Sequence, residues 1–202
     1  EEDELPNVIN LFDNPSLQVM DLMNDFKDAD ILGSLITPSL SDIASLKNSM
    51  KVNSNSDELF SEENTLRERV NAVLDQAEYL TRKYHVVVTN PPYMGNGKAC
   101  DILANWIKQH YLASKADLYS VFISRNESIL KVNGYCAMVT MQGWMFLSGF
   151  EEFRIEFLRH CSLLSLIHIG TNGFDSISGE VVSAAAFIFT TQNSAACQFI
   201  DV

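Results

Sequence analysis

The run Val86-Val87-Val88-Thr89-Asn90-Pro91-Pro92-Tyr93 constrains this chain more than any other segment. An apolar β run stops at two prolines, and neither has the backbone N–H that a central strand needs. The proline after Asn90 also pushes that residue out of the helical region. The strand therefore ends in a stiff turn that presents an amide, backbone carbonyls and an aromatic ring together. Such a set suits a flat molecule carrying an exocyclic amino group. Asn90 and a proline carbonyl accept from the amino group, and Tyr93 stacks on the ring.

The rest of the chain is read around that turn. With 202 residues and 47% hydrophobic content it is long enough for one domain with a substantial core. No apolar run reaches the roughly 18 residues of a membrane span, and the acidic start, Glu1-Glu2-Asp3-Glu4, does not resemble a signal peptide. A start without Met leads us to expect a segment of a longer protein. Cys100, Cys136, Cys161 and Cys197 are widely spaced and read as reduced thiols, which points to the cytoplasm. The net charge of −12 is unevenly spread. Residues 1–81 carry 17 acids against 5 bases and residues 132–202 carry 6 against 2, whereas residues 82–131 carry 3 acids and 7 bases. The only net-positive segment thus surrounds the proline turn. It reads equally as a solvated helix surface or as a phosphate-facing one.

Periodicity sets out an alternating α/β chain. Residues 1–60 read as an irregular N-terminal segment. Within it Asp28–Ile36 suggests a short strand, and the Ser- and Asn-rich stretch 39–58 suggests a disordered loop. Ser61 to Asn64 open a helix, along which Leu66, Val70, Val73, Leu74, Ala77 and Leu80 recur at helical spacing. The strand His85–Thr89 and the proline turn follow, and Gly95-Asn96-Gly97 reads as a mobile loop. Helices are expected around Leu103–Tyr111 and Lys115–Lys131. Asn133-Gly134 turns the chain into a strand, Tyr135–Met141. A helix carries Phe150, Phe153 and Phe157. Further strands are expected at Leu163–Ile169, Val181–Thr191 and from Gln198 to the end, with a loop over Gly170–Glu180. Residues 61–202 thus resemble half of an open α/β sheet, whose ligands bind outside the carboxyl ends of the strands.

Asn-Pro-Pro-Tyr after a β-strand resembles the catalytic motif of amino-group methyltransferases that use S-adenosylmethionine, above all the DNA adenine-N6 enzymes. Tyr93-Met94-Gly95, Ser114-Lys115-Ala116-Asp117-Leu118, the stretch Ala137–Leu147 and Gly179-Glu180-Val181-Val182 extend the likeness. Together they resemble the large adenine-specific methyltransferases of BREX (phage-growth-limitation) defence systems, over roughly Asp28 to Thr190. The resemblance implies a partial doubly wound, Rossmann-like methyltransferase sheet, mostly parallel with a late antiparallel strand. It implies that residues 61–202 are the C-terminal half of the catalytic domain, truncated at both ends. The expected activity is site-specific adenine-N6 methylation of double-stranded DNA with the target base flipped out, within a phage-defence or restriction-modification system. Other defence-system proteins are possible partners.

By the same resemblance the catalytic residues are Asn90, Pro91, Pro92 and Tyr93. The stacking faces for the base are Tyr93 and Phe174. The cofactor is S-adenosylmethionine in the complete enzyme. The glycine-rich loop that holds this cofactor is not found upstream of residue 60, so the chain alone is expected to bind it weakly and to be inactive. Structural readings stand beside these. Tyr93 and Asn90 could simply complete the turn, and Phe174 could anchor the core. Trp144, Met145 and Phe146 look more like core than site, and Asp28 and Asp30 more like solvated acids than cofactor contacts. His85, His110, His160 and His168 lack ligand spacing, so no metal is expected; His85 and His168 read as structural. Gly95-Asn96-Gly97-Lys98 lacks the spacing of a phosphate loop. Two other functions fit the residues: amino-group methylation of RNA or of a protein glutamine, and an inert docking module.

Overall fold

The computed structural model describes residues 17–52, 61–170, 183–194 and 196–201. The chain divides into two compact units, Glu1–Arg82 and Lys83–Val202. The break falls after the long helix that the sequence reading assigns to the second part, not at residue 60.

The described residues of the first unit form helices: α1 (Leu17–Asp25), α2 (Ala29–Leu32) running into a 3-10 turn (Gly33–Leu35), α3 (Ile43–Val52) and α4 (Ser61–Thr81). Both α1 and α3 pack on α4. Two expectations change here. The strand expected within Asp28–Ile36 is helical, because Leu32, Leu35 and Ile36 bury at helical spacing and Gly33 takes a φ of 51° to end α2. The stretch read as a loop over 39–58 contains α3; residues 53–58 lie outside the described residues. Asp42 caps α3 by accepting the Ser45 N–H at 3.1 Å, and Ile43 and Leu46 are buried one turn apart. Along α4, Val70, Leu74 and Ala77 are buried as the periodicity predicts. Lys47 of α3 bridges Asp75 and Glu78 of α4, and these partners hold the lysine charged and the Glu78 carboxyl low.

The second unit is an α/β sheet. Its strands are β1 (Tyr84–Thr89), β2 (Leu130–Met141), β3 (Ser162–Gly170), β4 (Ala184–Thr190) and β5 (Gln198–Asp201). The order is β1-β2-β4-β3-β5. β1 pairs with β2, and β3 with β5, in parallel; β4 is antiparallel to both of its neighbours. Among the described strands four thus run one way and the late strand β4 runs against them, as the resemblance implies. Val181 and Val182, expected in β4, lie outside the described residues.

Helices α5 (Asp101–His110) and α6 (Leu118–Ile129) connect β1 to β2; α7 (Gly143–Phe146) and α8 (Glu151–His160) connect β2 to β3. One sheet face forms the core. Cys136 and Met138 of β2, Leu166 of β3 and Phe187 and Phe189 of β4 meet Ile123 of α6, Trp144 of α7, and Phe153 and Phe157 of α8. Trp144 lies edge-on to Phe153 and Phe157, and Phe157 edge-on to Phe189, the favoured arrangement for ring quadrupoles. The opposite face leaves Val86 60% and Val88 73% exposed. Acids in the first turn of α8 (Glu151, Glu152) and bases in its last (Arg159, His160) match the helix dipole. No helix among the described residues is long and apolar enough to cross a membrane.

β2 begins at Leu130, so α6 is shorter than the helix expected over Lys115–Lys131. Asn133-Gly134 lies inside the strand rather than before it. Tyr84 pairs with Leu130 but Val86 pairs with Tyr135, so β2 bulges against β1. Asn133 takes a left-handed φ of 61° at this bulge. A Cβ on Gly134 would stand 2.9 Å from the Lys131 carbonyl oxygen, 3.1 Å from that of Tyr84 and 3.2 Å from that of His85. Backbone surrounds the position and has little room to give. Gly134→Ala is expected to destabilise the fold by about 1–3 kcal/mol, read as a lower midpoint in denaturant unfolding; a midpoint equal to the parent's would contradict the close approach.

Candidate active site

The proline turn leaves β1 at its carboxyl end. Asn126 of α6, itself buried, donates from Nδ2 to Thr89 Oγ1 at 2.8 Å and also lies 3.4 Å from Met138 Sδ. The last residue of β1 is thereby tied to the core just before the turn. The Asn90 side chain is exposed, Pro91 is buried, Pro92 is exposed and Tyr93 is half-buried. The amide at the corner therefore faces away from the apolar interior. The Tyr93 hydroxyl donates to Asn90 Oδ1 at 3.1 Å and lies 3.4 Å from the Val139 carbonyl. Burial raises the Tyr93 pKa, which keeps the hydroxyl a donor. A carbonyl oxygen has two lone pairs, so Asn90 Oδ1 keeps one to offer.

Tyr119, buried in the first turn of α6, stands edge-on to Tyr93 at 6.2 Å and stacks on Phe150 at 5.6 Å. Burial, reinforced by the Asp117 carboxylate, raises the pKa of its hydroxyl far above the usual range, and the Trp144 backbone pulls it the other way. Tyr119 thus links the turn after β1 to the turn after β2. Asp117 caps α6: its Oδ1 accepts the Tyr119 N–H at 3.2 Å and the Met94 N–H at 3.0 Å. Burial raises the Asp117 carboxyl pKa; the N–H groups of Tyr119, Met94 and Leu118, and Lys98, pull it the other way.

A second polar group stands on the same edge of the sheet. His168, near the end of β3, meets Asp201 of β5 through Nδ1 at 2.7 Å and Gln142, just past β2, through Nε2. Phe146 of α7 sits edge-on to the imidazole at 6.2 Å. Arg154 donates to the carbonyls of Trp144 at 2.8 Å and Leu147 at 2.7 Å, bracing the α7 turn. The sequence reading missed this cluster and took His168 as structural. The readable signal was position: Gln142, His168 and Asp201 each lie at the carboxyl end of a parallel-running strand.

Of the residues singled out in the sequence, Asn90, Pro91, Pro92 and Tyr93 lie together at the corner. Phe174 falls outside the described residues. Trp144 is buried core and Met145 packs against it, whereas Phe146 is 62% exposed at the carboxyl edge. In the first unit, Asp28 precedes α2 and Asp30 is exposed. The segment Gly95-Asn96-Gly97, expected to be mobile, is held by a bridge from Gly95 to Asp117 and by a 3-10 turn over Asn96–Lys98. All four cysteines are free, and burial pushes the Cys136 and Cys161 thiols up to about 12, leaving them neutral and unreactive. Among the described residues no group of three or more His, Cys, Asp or Glu side chains could hold a metal ion.

Comparison with known proteins places this geometry in context. The adenine-specific methyltransferase PglX of Lacticaseibacillus casei (strain Zhang) is 43% identical over 113 residues, 56% of this chain and 9% of that protein. The adenine-specific methyltransferase BrxX of Escherichia coli O9:H4 (strain HS) is 39% identical over 121 residues, 60% of this chain and 10% of that protein. The chain therefore spans about a tenth of the length of these curated relatives. Among solved structures, the Type IIL restriction-modification enzyme MmeI in complex with DNA superposes with a TM-score of 0.50 at 15% identity, over 65% of this chain and 18% of that one, which marks a shared fold. The sequence profile of the Eco57I restriction-modification methylases matches residues 20–174. With most of its length matched, the chain belongs to the Eco57I restriction-modification methylase family.

Proposed function

We propose that this chain forms the amino-group-activating side of a methyltransferase that modifies the N6 position of a flipped-out adenine in double-stranded DNA. In this reading it is a cytoplasmic protein that serves phage defence or restriction-modification, with other defence proteins as partners. The observation that carries the reading is the exposed Asn90 amide, oriented by the Tyr93 hydroxyl on a proline-braced corner at the carboxyl end of β1.

The adenine amino group is a poor nucleophile because its lone pair is delocalised into the ring. Asn90 Oδ1 and the Pro91 carbonyl accept its two N–H bonds and draw the nitrogen towards a tetrahedral shape, which localises that lone pair. Fixed dipoles stabilise the positive charge that develops, so no carboxylate base is required. Pro91 and Pro92 hold the two acceptors in place without needing to move when the base arrives. Extrusion of the base costs a few kcal/mol. Stacking on one aromatic face such as Tyr93 returns about 1–3 kcal/mol, and Phe174 is the proposed second face.

S-adenosylmethionine is the methyl donor of this reading and supplies an electrophilic methyl group on sulfur. The described residues do not by themselves fit a cradle for it. No strand, glycine turn and helix precede β1 among them, and β1 stands at the sheet edge. Calorimetric titration of the 202-residue chain with S-adenosylmethionine is expected to detect no low-micromolar binding, and a clear isotherm in that range would contradict this.

In the intact protein Asn90→Ala is expected to lower the methyl-transfer rate by about 10²–10³-fold, the usual cost of one preorganised polar contact, with unchanged folding. Tritiated methyl transfer to DNA, RNA and protein measures it. Label on DNA supports the adenine reading, and label on RNA or on protein glutamine redirects it to the related amino-group chemistry. No label on any of them, with a defence protein recovered on the chain, would leave a docking module. A rate near the parent's in Asn90→Ala would remove the amide from the mechanism. Tyr93→Phe keeps the ring and loses the bond to Asn90, so its loss should be smaller than that of Tyr93→Ala; equal losses would show that stacking plays no part.

A further inference from the structure

The Ser114–Leu118 segment has no role in the chemistry above, although it is bonded to Met94, directly after the corner. A helix cap at Asp117 needs only one bond, from the side chain to the Tyr119 N–H. Asp117 makes a second bond with the same oxygen, reaching back 23 residues to the Met94 N–H at 3.0 Å. The Leu118 N–H donates to the Met94 carbonyl at 3.0 Å, and Gly95 bridges to Asp117. Met94 is thus held through both its N–H and its carbonyl, directly after Tyr93. The other contact is Tyr119, two residues past Asp117, whose ring stands edge-on to Tyr93. The chain beyond Tyr93 and the ring beside it are both set by the first turn of α6.

We infer that Asp117 is a positioning residue for the methyl-transfer corner: by clamping Met94 and capping the helix that carries Tyr119, it fixes the plane of the Tyr93 ring and, through the Tyr93 hydroxyl, the Asn90 amide. The inference rests on the methyltransferase reading of that corner. Asp117 acts through Tyr93 and touches no substrate. The carboxylate makes both bonds charge-assisted, which suits a clamp on a loop that must stay still while a base enters.

Two substitutions in the intact protein separate clamping from capping. D117S keeps a hydroxyl that caps the helix but is too short to reach Met94. D117N keeps an oxygen that accepts both N–H bonds. D117S is expected to lower kcat on adenine-containing duplex DNA by about 10- to 100-fold, the scale of one charged hydrogen bond, with the KM for S-adenosylmethionine unchanged. D117N should restore most of that loss. Hydrogen exchange at the Met94 amide gives a readout independent of catalysis: slow in the parent and in D117N, fast in D117S. A parental kcat in D117S, or a Met94 amide still protected in it, overturns the inference. So does a D117S protein that fails to fold, since positioning would then be inseparable from folding. N90A serves as the control for the underlying reading. If N90A methylates like the parent, that reading falls, while Met94 exchange still judges the clamp.

Discussion

The carboxyl edge depends on the parallel register between β1 and β2. Thr89 pairs with Met138, which sets Asn90 beside Val139, whose carbonyl lies within reach of the Tyr93 hydroxyl. A one-residue slip would turn every side chain of β1 to the opposite face. Val87 would leave the core, Val88 would enter it, and the proline turn would face the wrong way. Two features resist such a slip. Asn126 ties Thr89 from beneath, and the β2 bulge around Asn133-Gly134 fits only where the backbone closes over a glycine.

Above that register, the edge is built from turns that support one another. The turn after β1 leans on Tyr119, Tyr119 stacks on Phe150 beyond β2, and Trp144 anchors the turn after β2 in a nest of phenylalanines. On its far side that turn reaches His168 and Asp201 through Gln142. Rigid strands and buried rings thus hold polar groups drawn from four separate segments. Stiffness of this kind is what fixed-dipole catalysis requires, because a dipole that must reorient during the reaction contributes less.

Much of this was legible in the chain, and the reason is locality. The apolar run that ends at Asn-Pro-Pro marks a strand, and the four residues of the corner are consecutive, so their company needs no tertiary knowledge. The helix Ile43–Val52 was hidden because its Ser and Asn content outweighed the weaker signal of an Asp42 cap with Ile43 and Leu46 one turn apart. The bond from Asp117 to Met94 and the meeting of Gln142 with His168 and Asp201 were hidden for a different reason. They join residues 23, 26 and 33 positions apart, and periodicity speaks only of neighbours within one element. Phe146 illustrates the limit. Its neighbour Trp144 is core, yet the short helix turns Phe146 outward, which hydrophobicity alone does not disclose.

The first strand also bears on how the chain behaves in solution. It stands at the border of the sheet, with one row of N–H and C=O groups unpaired by any described strand and with Val86 and Val88 largely bare beside them. An unpaired border flanked by bare branched aliphatic residues is a template on which a foreign strand can zip. Handled in isolation, the 202-residue chain should self-associate as its concentration rises. A charged residue at Val86 or Val88 should improve its solubility without touching the core.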